Sequence, residues 1–241
     1  MKIISLLLII FSALALQAQN TRPAKETNRI FIGVNFSPDY NYRTLKNNDG
    51  NASTGFVINS RNNTEIGKFG YSTGLNICFN FSKGIALETG IQYSNKGYKT
   101  KNQDLVYGQP DPDAPTKARF IHTYQYIGIP LKANFSFGKS KVRFITGLGF
   151  STNILINQKN TSIAEYANGR KEKKNQSSTS GYKKLDISPL ISIGIDYKIN
   201  DQVHLKAEPT FRYGLLKTID AAVTEHLWNA GLNIGFYYGL R

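Results

Sequence analysis

The stretch YQYIGIPLKANFSFG (residues 124–138) decides the fold class of this chain. From Ile127 to Phe137 every second residue is apolar, and the residues between them are Gly128, Pro130, Lys132, Asn134 and Ser136. A period of two predicts a β-strand with one apolar and one polar face. In a soluble sandwich the apolar face covers a core, whereas in a membrane barrel it meets lipid and the polar face lines the interior. The stretch by itself does not distinguish the two architectures.

The same alternation recurs along the chain, and no window has a convincing helical period. Eight segments show it, near residues 29–43, 66–81, 84–98, 119–137, 141–157, 183–199, 202–216 and 226–240. Three connections are tight turns: SKG (82–84), GKS (138–140) and ND (200–201). The others, near 44–65, 99–118, 158–182 and 217–225, are mostly long and polar. This regular alternation predicts an eight-stranded antiparallel up-and-down transmembrane β-barrel with periplasmic turns and extracellular loops.

The composition of the two strand faces favours a barrel over a sandwich. The polar faces are rich in glycine and small polar residues, which fit a narrow interior better than a solvated sheet face. Aromatic residues ten positions apart predict girdles at both membrane interfaces, because ten tilted residues span ~25 Å. The general preference of aromatic residues for strands is the alternative explanation. The girdle candidates are Phe69, Tyr71, Phe79, Phe81, Trp228 and Tyr238.

The first twenty residues, MKIISLLLIIFSALALQAQN, have the pattern of a secretory signal. Lys2 precedes an apolar run that is too short to span a bilayer, and the small Ala18 can precede a cleavage site. We expect a cleaved signal peptide at 1–18, a short periplasmic tail at 19–28 and the barrel at 29–241. The expected location is the outer membrane.

The chain is basic, with a formal net charge of +14. An exported protein without a nucleic-acid motif is not expected to bind nucleic acid, so outer-membrane lipids, including lipopolysaccharide, are the expected partners. The stretch NGRKEKKNQSSTSGYKK (168–184) supplies candidate headgroup contacts at Arg170, Lys171, Lys173 and Lys174. A flexible, solvated loop is the alternative. The single cysteine, Cys78, excludes an internal disulfide and is expected to be a buried thiol.

Charged residues of both signs fall on the polar faces, where a narrow barrel forces them to pair or to bind water. We expect Arg143 to lie close to Asp196, and Lys132 to lie near Glu88 or Glu208. A structural polar core is the preferred interpretation, and a selectivity lining or proton path, which needs a continuous lumen, is the alternative. The predicted network comprises Glu88, Lys132, Arg143, Asp196, Lys206, Glu208 and Arg212, with Asp186 and Lys198 on the same faces.

Enzymatic patterns are weak. His122, His204 and His226 are predicted to lie at separate places on the barrel, too far apart for one metal site or triad. Thr224, Glu225 and His226 could imitate part of an esterase site at the rim, with His226 expected on the outward side as a surface residue. The chain has no phosphate loop, no paired-cysteine zinc pattern and no G-x-S-x-G. We therefore expect no catalytic, cofactor or metal site.

Several stretches resemble the PorT-like outer-membrane β-barrel family of Bacteroidota. They are ALQAQ, FIGVNFSPDYNYRTLK (31–46), YIGIPLKANFSFG followed by FITGLGFSTNIL (144–155), and AGLNIGFYYGL (230–240). The resemblance implies an eight-stranded outer-membrane barrel, and the namesake of the family is linked to a dedicated protein secretion system. Such barrels often end on an aromatic residue, whereas this chain ends Tyr238-Gly239-Leu240-Arg241.

The expected function is a structural, docking or secretion-support role, exerted through the extracellular loops around a side-chain-filled lumen, with a secretion or envelope complex as a candidate partner. A small-solute channel is the alternative, and a lipid-modifying enzyme at the rim is the third class. Pro130, Pro189 and Pro209 lack an N–H within predicted strands, so we expect a bulge or a local gap at each of them.

Overall fold

A computed structural model describes residues 30–109, 111, 113–138 and 140–240. The expected signal peptide (1–18) and periplasmic tail (19–28) lie outside these residues. The described residues form ten strands and one helix. In chain order they are β1 (Ile30–Asn47), α1 (Ala52–Thr64), β2 (Glu65–Asn80), β3 (Ile85–Thr100), β4 (Gln103–Asp104), β5 (Pro115–Phe137), β6 (Val142–Tyr166), β7 (Lys171–Ser177), β8 (Leu185–Lys198), β9 (Val203–Tyr213) and β10 (Val223–Leu240).

Eight of the strands close into an antiparallel ring. The order around the ring is β1, β2, β3, β5, β6, β8, β9 and β10, and β10 pairs back onto β1 from Ile30 opposite Leu240 to Asn47 opposite Val223. Each of these strands therefore has a partner on both sides, as a bilayer requires because its core offers the backbone no water. The predicted all-β, eight-stranded up-and-down transmembrane barrel is confirmed.

The connections sort to the two ends of the barrel as the sequence predicts. Three short connections, at 81–84, 138–141 and 199–202, lie at one end, which we call the turn end. Four longer ones, at 48–64, 101–114, 167–184 and 214–222, lie at the other, the loop end. Predicted and observed strand limits agree within four residues, except that β6 continues to Tyr166.

Two features of the loop end differ from the sequence-based expectation. Residues 158–182 are not a free loop, because β6 turns at Gly169 and pairs with β7. Helix α1 escaped prediction because its apolar residues, Phe56 to Ile58, are consecutive and leave no amphipathic stripe. Its start is ordered by the Asp49 carboxylate, which accepts hydrogen bonds from Asn51 and Thr54. Within the described residues, no helix is long and apolar enough to cross a membrane.

The barrel is polar inside and apolar outside. Along the stretch that predicts the fold, Ile129 is 58 % exposed on the outer surface, while the neighbouring inward residue Lys132 is 7 % exposed. Cys78 is buried in the interior, as expected. Among the described residues, apolar side chains gather inside in two small clusters, around Tyr98 and Tyr124 near the loop end and around Phe31 and Tyr237 near the turn end. The polar face of the opening stretch is therefore the inside.

Each mid-strand proline is accommodated by a local gap in one ladder. Pairing is interrupted at Pro130 toward β3 and at Pro209 toward β8, and pairing of β8 with β9 ends beside Pro189. The opposite ladder continues past each proline. The gap follows from the missing N–H, and the predicted alternative, a bulge, does not occur at these positions. Pro38, which the sequence analysis did not single out, interrupts the pairing of β1 with β10 in the same way.

The assignment of faces can be tested by placing a charge on the outside of β5. Leu131→Arg, near the middle of the apolar band, should lower the free energy of unfolding by about 2–4 kcal/mol in lipid vesicles, because the guanidinium must leave water. Phe137→Arg, near the turn end, should cost about 0–1 kcal/mol. Unfolding in guanidinium chloride, followed by the fluorescence of Trp228, the only tryptophan, measures both changes in the free energy of unfolding. Equal costs at the two positions would contradict the assignment.

Candidate functional site: the charged lumen

The charged group nearest the turn end is centred on Asp196. Arg143 Nη2 lies 2.6 Å from Asp196 Oδ2, and His204 Nδ1 lies 3.0 Å from Asp196 Oδ1. Arg143 and Asp196 face each other in the register of β6 and β8, so the expected proximity is present. Beside this group is a cavity of about 30 Å³, lined in part by Cys78 and Lys206, which has room for little more than water.

The second group lies deeper and contains two lysines and two carboxylates. Lys132 Nζ lies 3.0 Å from Glu208 Oε2 and 3.6 Å from Glu88 Oε1, so it is near both of the carboxylates proposed for it. Lys206 Nζ lies 3.4 Å from Glu88 Oε2 and 4.1 Å from the centre of the Tyr237 ring. The Tyr237 hydroxyl donates to Glu88 Oε1 at 2.9 Å. Within this group the four charges balance, as burial requires.

The third group lies nearer the loop end than the second, and its charges are farther apart. Asp39 accepts hydrogen bonds from Ser37 (2.6 Å) and Ser72 (2.5 Å). The Arg212 guanidinium is 3.9 Å from Asp39, and its Nε is buried without a hydrogen-bond partner among the described residues. Lys96 is 3 % exposed, and its ammonium lies 5.6 Å from the centre of the Tyr126 ring. Buried cations are therefore also present on the loop-end side of the second group.

At the loop end the charged groups of the lumen end at Arg61 of helix α1, which we call the plug. The Arg61 Nε donates to Glu65 Oε1 at 2.7 Å, and its Nη2 donates to Glu225 Oε1 at 2.7 Å. The same nitrogen donates to the Tyr98 hydroxyl at 2.9 Å, and that hydroxyl donates to Glu225. Arg43 pairs with Glu65 from β1 at 2.8 Å. Through Arg61, helix α1 is thus tied to β2, β3 and β10.

Several charged residues of the lumen were not predicted from the sequence. Asp39, Arg43, Lys96, Glu65 and Glu225 were not assigned to the interior, although all are buried there. Lys68 is also buried, but on the outer side of the strands, where its ammonium donates to Asn95 and Thr123 at 2.9 Å each. Asp39, Arg43 and Lys96 lie inside the predicted strands on the polar face, and Glu225 lies one residue before the predicted start of the last strand, so the period-two alternation could have placed these four. Arg61 had no such signal, because it belongs to a helix without amphipathic periodicity. Lys198, which was assigned inward, lies at the turn end and pairs with Asp201 at 2.6 Å.

Five of the six girdle candidates lie on strand positions that face outward, and Phe81 directly follows the end of β2. Phe69, Tyr71 and Trp228 contact other aromatic rings near the loop end, including those of Tyr40 and Phe36. Phe79, Phe81 and Tyr238 lie toward the turn end and are exposed. The arrangement has the two levels that girdles need, and contact with the membrane interfaces stays a prediction.

The basic residues proposed for headgroup contact lie on the hairpin of β6 and β7. The Arg170 guanidinium lies 4.0 Å above the Tyr166 ring. Lys171 pairs with Glu165 at 3.4 Å, and Lys174 pairs with Glu172 at 3.2 Å. Hydrogen bonds from the Tyr166 hydroxyl and from Lys174 hold the pKa of Glu172 below its usual value. Lys173 has no ion-pair partner among the described residues.

The rim esterase arrangement does not form. Glu225 points into the lumen, where the Tyr98 and Tyr124 hydroxyls donate to it, whereas the neighbouring His226 points to the opposite side of β10. His226 is not the surface residue that was expected, because it is 8 % exposed, stacks on Tyr213 and has Nδ1 3.2 Å from the Gly214 carbonyl. No cluster of three or more potential metal ligands occurs in the described part of the chain.

The energetic weight of the second group can be measured by removing one partner. Lys132→Met should destabilise the barrel by about 3–5 kcal/mol, because Glu208 keeps a buried charge without its nearest cation. Lys198→Met removes an exposed pair and should cost about 0–1 kcal/mol. The double variant Lys132→Met, Glu208→Met should recover part of the loss. Unfolding titrations in lipid vesicles measure these changes in the free energy of unfolding. Equal losses for Lys132→Met and Lys198→Met would contradict a paired network that excludes water.

Several outer-membrane proteins of solved structure are similar to this chain. Neisserial surface protein A is 13 % identical, with 88 % of this chain and 97 % of that chain covered and a TM-score of 0.47. OprG of Pseudomonas aeruginosa is 11 % identical, with 91 % and 100 % covered and a TM-score of 0.47. The protease OmpT of Escherichia coli is 10 % identical, with 92 % and 99 % covered and a TM-score of 0.43.

Family comparison gives the stronger result. No curated protein sequence matches the chain. The family model described as "Outer membrane protein beta-barrel domain" matches residues 17–220, which is most of the chain. The closed ring, the apolar outer surface and the charged lumen agree with that match. The chain therefore belongs to the outer membrane protein beta-barrel domain family, and its location is the outer membrane.

Proposed function

We propose that this protein is a non-conducting outer-membrane barrel that acts through its loop end, in a structural, docking or secretion-support role. The observation that supports the proposal is a lumen occupied by charged side chains from Asp196 at the turn end to Glu225 at the loop end, with close ion pairs at both ends and around Lys132. A lumen occupied in this way leaves the loops as the part of the molecule available to partners.

The pairing in the lumen argues against the competing class, a small-solute channel. A solute would have to separate the Lys132–Glu208 pair and displace Arg61 from Glu65 and Glu225. Separating a buried pair is costly, because each charge loses its partner without regaining bulk water. The cavity at the turn end, about 30 Å³, is also far smaller than a solute path needs.

The loop end presents exposed apolar side chains that the membrane does not cover. Phe56 of α1 is 77 % exposed, Val106 beside β4 is 94 % exposed, and Leu215 after β9 is 54 % exposed. Large apolar side chains that stay in water away from the lipid-facing band are typical of partner surfaces. The resemblance to PorT-like barrels favours an envelope or secretion complex as the partner.

We also propose that the protein is not an enzyme. The nearest approach to a catalytic arrangement, Thr224 with Glu225 and His226, is divided between the two sides of β10. A nucleophile, base and orienting acid must share one side to transfer a proton. The purified wild-type protein should therefore show no lipid-modifying activity, and the His226→Ala variant should not differ from it.

Planar-bilayer recording tests the closed lumen. The refolded protein should give no stable single-channel steps, because the paired layers persist even when the loops move. A variant with Arg61→Ala should also stay silent, since the Lys132 and Asp196 groups remain below the plug. Large, stable currents from the wild-type protein would overturn the closed-lumen proposal.

Cross-linking in native membranes tests the docking role. A photo-reactive amino acid at Val57 of α1 should give a discrete protein adduct, because that side chain is exposed on the loop end. Val142 is the matched control, since it is an equally exposed valine at the turn end (51 % against 49 % for Val57). Mass spectrometry of the adducts identifies the partner. If Val57 gave only the products seen at Val142, the docking role would be wrong.

A further inference from the structure

The upper parts of β5 and β6 extend beyond the ring and join β4, β7 and the end of β3 in a sheet at the loop end, which we call the loop-end sheet. Its two faces follow from strand alternation. One face continues the lipid-facing side of β5, through Thr123 and Gln125 down to Ile127, and we call it the outer face. The other continues the lumen side, through His122 and Tyr124.

Charge is divided unequally between the two faces. The register places Lys117 opposite Glu165, and Glu165 opposite Lys171, on the outer face. Among the described residues of this sheet, the outer face carries six cations, namely Lys99, Lys117, Arg119, Lys159, Lys171 and Lys173. It carries two carboxylates, Asp104 and Glu165. The charges on the opposite face are Glu172 and Lys174, which pair with each other at 3.2 Å. The outer face therefore holds the excess positive charge.

A small cavity lies within this basic face. Its volume is about 50 Å³, and its lining includes Lys117, Arg119, Glu165, Lys171 and Asn102. Arg119 makes no ion pair with a described residue, and its Nε is buried without a hydrogen-bond partner among them. A buried guanidinium edge without an acceptor costs free energy that an anion can offset, and guanidinium groups bind phosphate oxygens especially well. The cavity thus holds three cationic donors and one carboxylate, Glu165, which pairs with Lys171 at 3.4 Å, and Arg119 is the donor left without an acceptor in the described part of the chain.

The height of these cations identifies the kind of phosphate. The continuous apolar run on β5 ends at Ile127. Toward the loop end, Thr123, which faces Lys159, lies four strand positions beyond Ile127, and Lys117 lies ten positions beyond it. At a tilt of ~40° they stand ~10 Å and ~25 Å above the apolar band. A phospholipid headgroup layer is only ~5–8 Å thick per leaflet. Phosphates at ~10–25 Å require a lipid with a tall sugar headgroup, and the lateral orientation of the face favours a membrane neighbour over a soluble ligand.

We propose that the outer face of the loop-end sheet binds phosphate groups on the sugar headgroup of an outer-leaflet glycolipid of the lipopolysaccharide type, with Arg119, Lys117 and Lys171 forming the main site. Lys159, Lys99 and Lys173 extend the contact along the face. Of the hairpin residues singled out for headgroup contact, Lys171 and Lys173 belong to this surface, whereas Lys174 lies on the opposite face. The inference rests on the outer-membrane location and not on the docking role.

The test measures binding of purified lipopolysaccharide to the full-length barrel in detergent micelles by native mass spectrometry. Lys173→Gln should weaken binding about fivefold, the effect of one cation near an anionic surface. Lys174→Gln is the matched control, because it removes the same charge one residue away on the opposite face, and it should change binding less than twofold. Arg119→Gln combined with Lys171→Gln should weaken binding about thirtyfold if the two effects add. Heat-modifiable migration on gels checks that each variant is folded.

Three parallel ligands separate the possible sources of phosphate. Dephosphorylated lipopolysaccharide and phosphatidylglycerol should both bind much more weakly than intact lipopolysaccharide, and inorganic phosphate should compete only weakly. Equal effects of Lys173→Gln and Lys174→Gln would show a response to net charge and overturn the site. Equal binding of dephosphorylated lipopolysaccharide, equal binding of phosphatidylglycerol, or saturation by inorganic phosphate would each overturn the glycolipid assignment. None of these variants alters Val57 or Arg61, so the tests of the proposed function stay independent.

Discussion

The closure of β10 onto β1 is the constraint on which the rest of the molecule depends. A bilayer offers no hydrogen bonds to the backbone, so each membrane-spanning strand must be paired on both sides. Eight strands satisfy this requirement only as a narrow ring, and a narrow ring has no room for a solvated interior. The local gaps at Pro38, Pro130 and Pro209 show where the pairing is relaxed, one ladder at a time, while the opposite ladder continues.

The narrow interior then determines how charge is arranged. Residues that alternate inward must meet partners there, and Lys132 with Glu208, or Arg143 with Asp196, are the outcome. The same logic reaches the loop end, where Glu65 and Glu225 hold Arg61 of α1 over the lumen. A barrel built in this way has polar contacts inside and an apolar surface for lipid outside, and we propose that partners bind to the surface above the membrane. The exposed apolar residues and the basic outer face of the loop-end sheet are two separate parts of that surface.

Alternation predicted the fold and much of the lumen, and its failures have physical causes. It placed Arg143 beside Asp196 because both lie about four residues from short turns, where register is easy to count. It failed for β7 and the upper half of β6, because Lys, Asn and Ser have low strand preference and their pairing depends on the neighbouring strand. It also failed for α1, whose position follows from contacts of Arg61 and not from an apolar stripe. The exposed character expected of His226 was wrong because Tyr213, on the adjacent strand, covers it.

The sequence by itself determined which face of each strand is inside, which connections are short, and that the chain forms one closed barrel. These are local properties, set by a period of two and by turn residues. The tertiary structure alone decided which of the two candidate carboxylates lies nearer Lys132, and that Arg61 meets Glu65 and Glu225. Lys132 and Glu208 are 76 residues apart, and Arg61 and Glu225 are 164 apart. Such pairs depend on how the strands are staggered around the ring and on which side chains reach across it, and neither is encoded in any single stretch of the chain. The sorting of basic residues onto one face of the loop-end sheet likewise became visible only once β6 and β7 were paired.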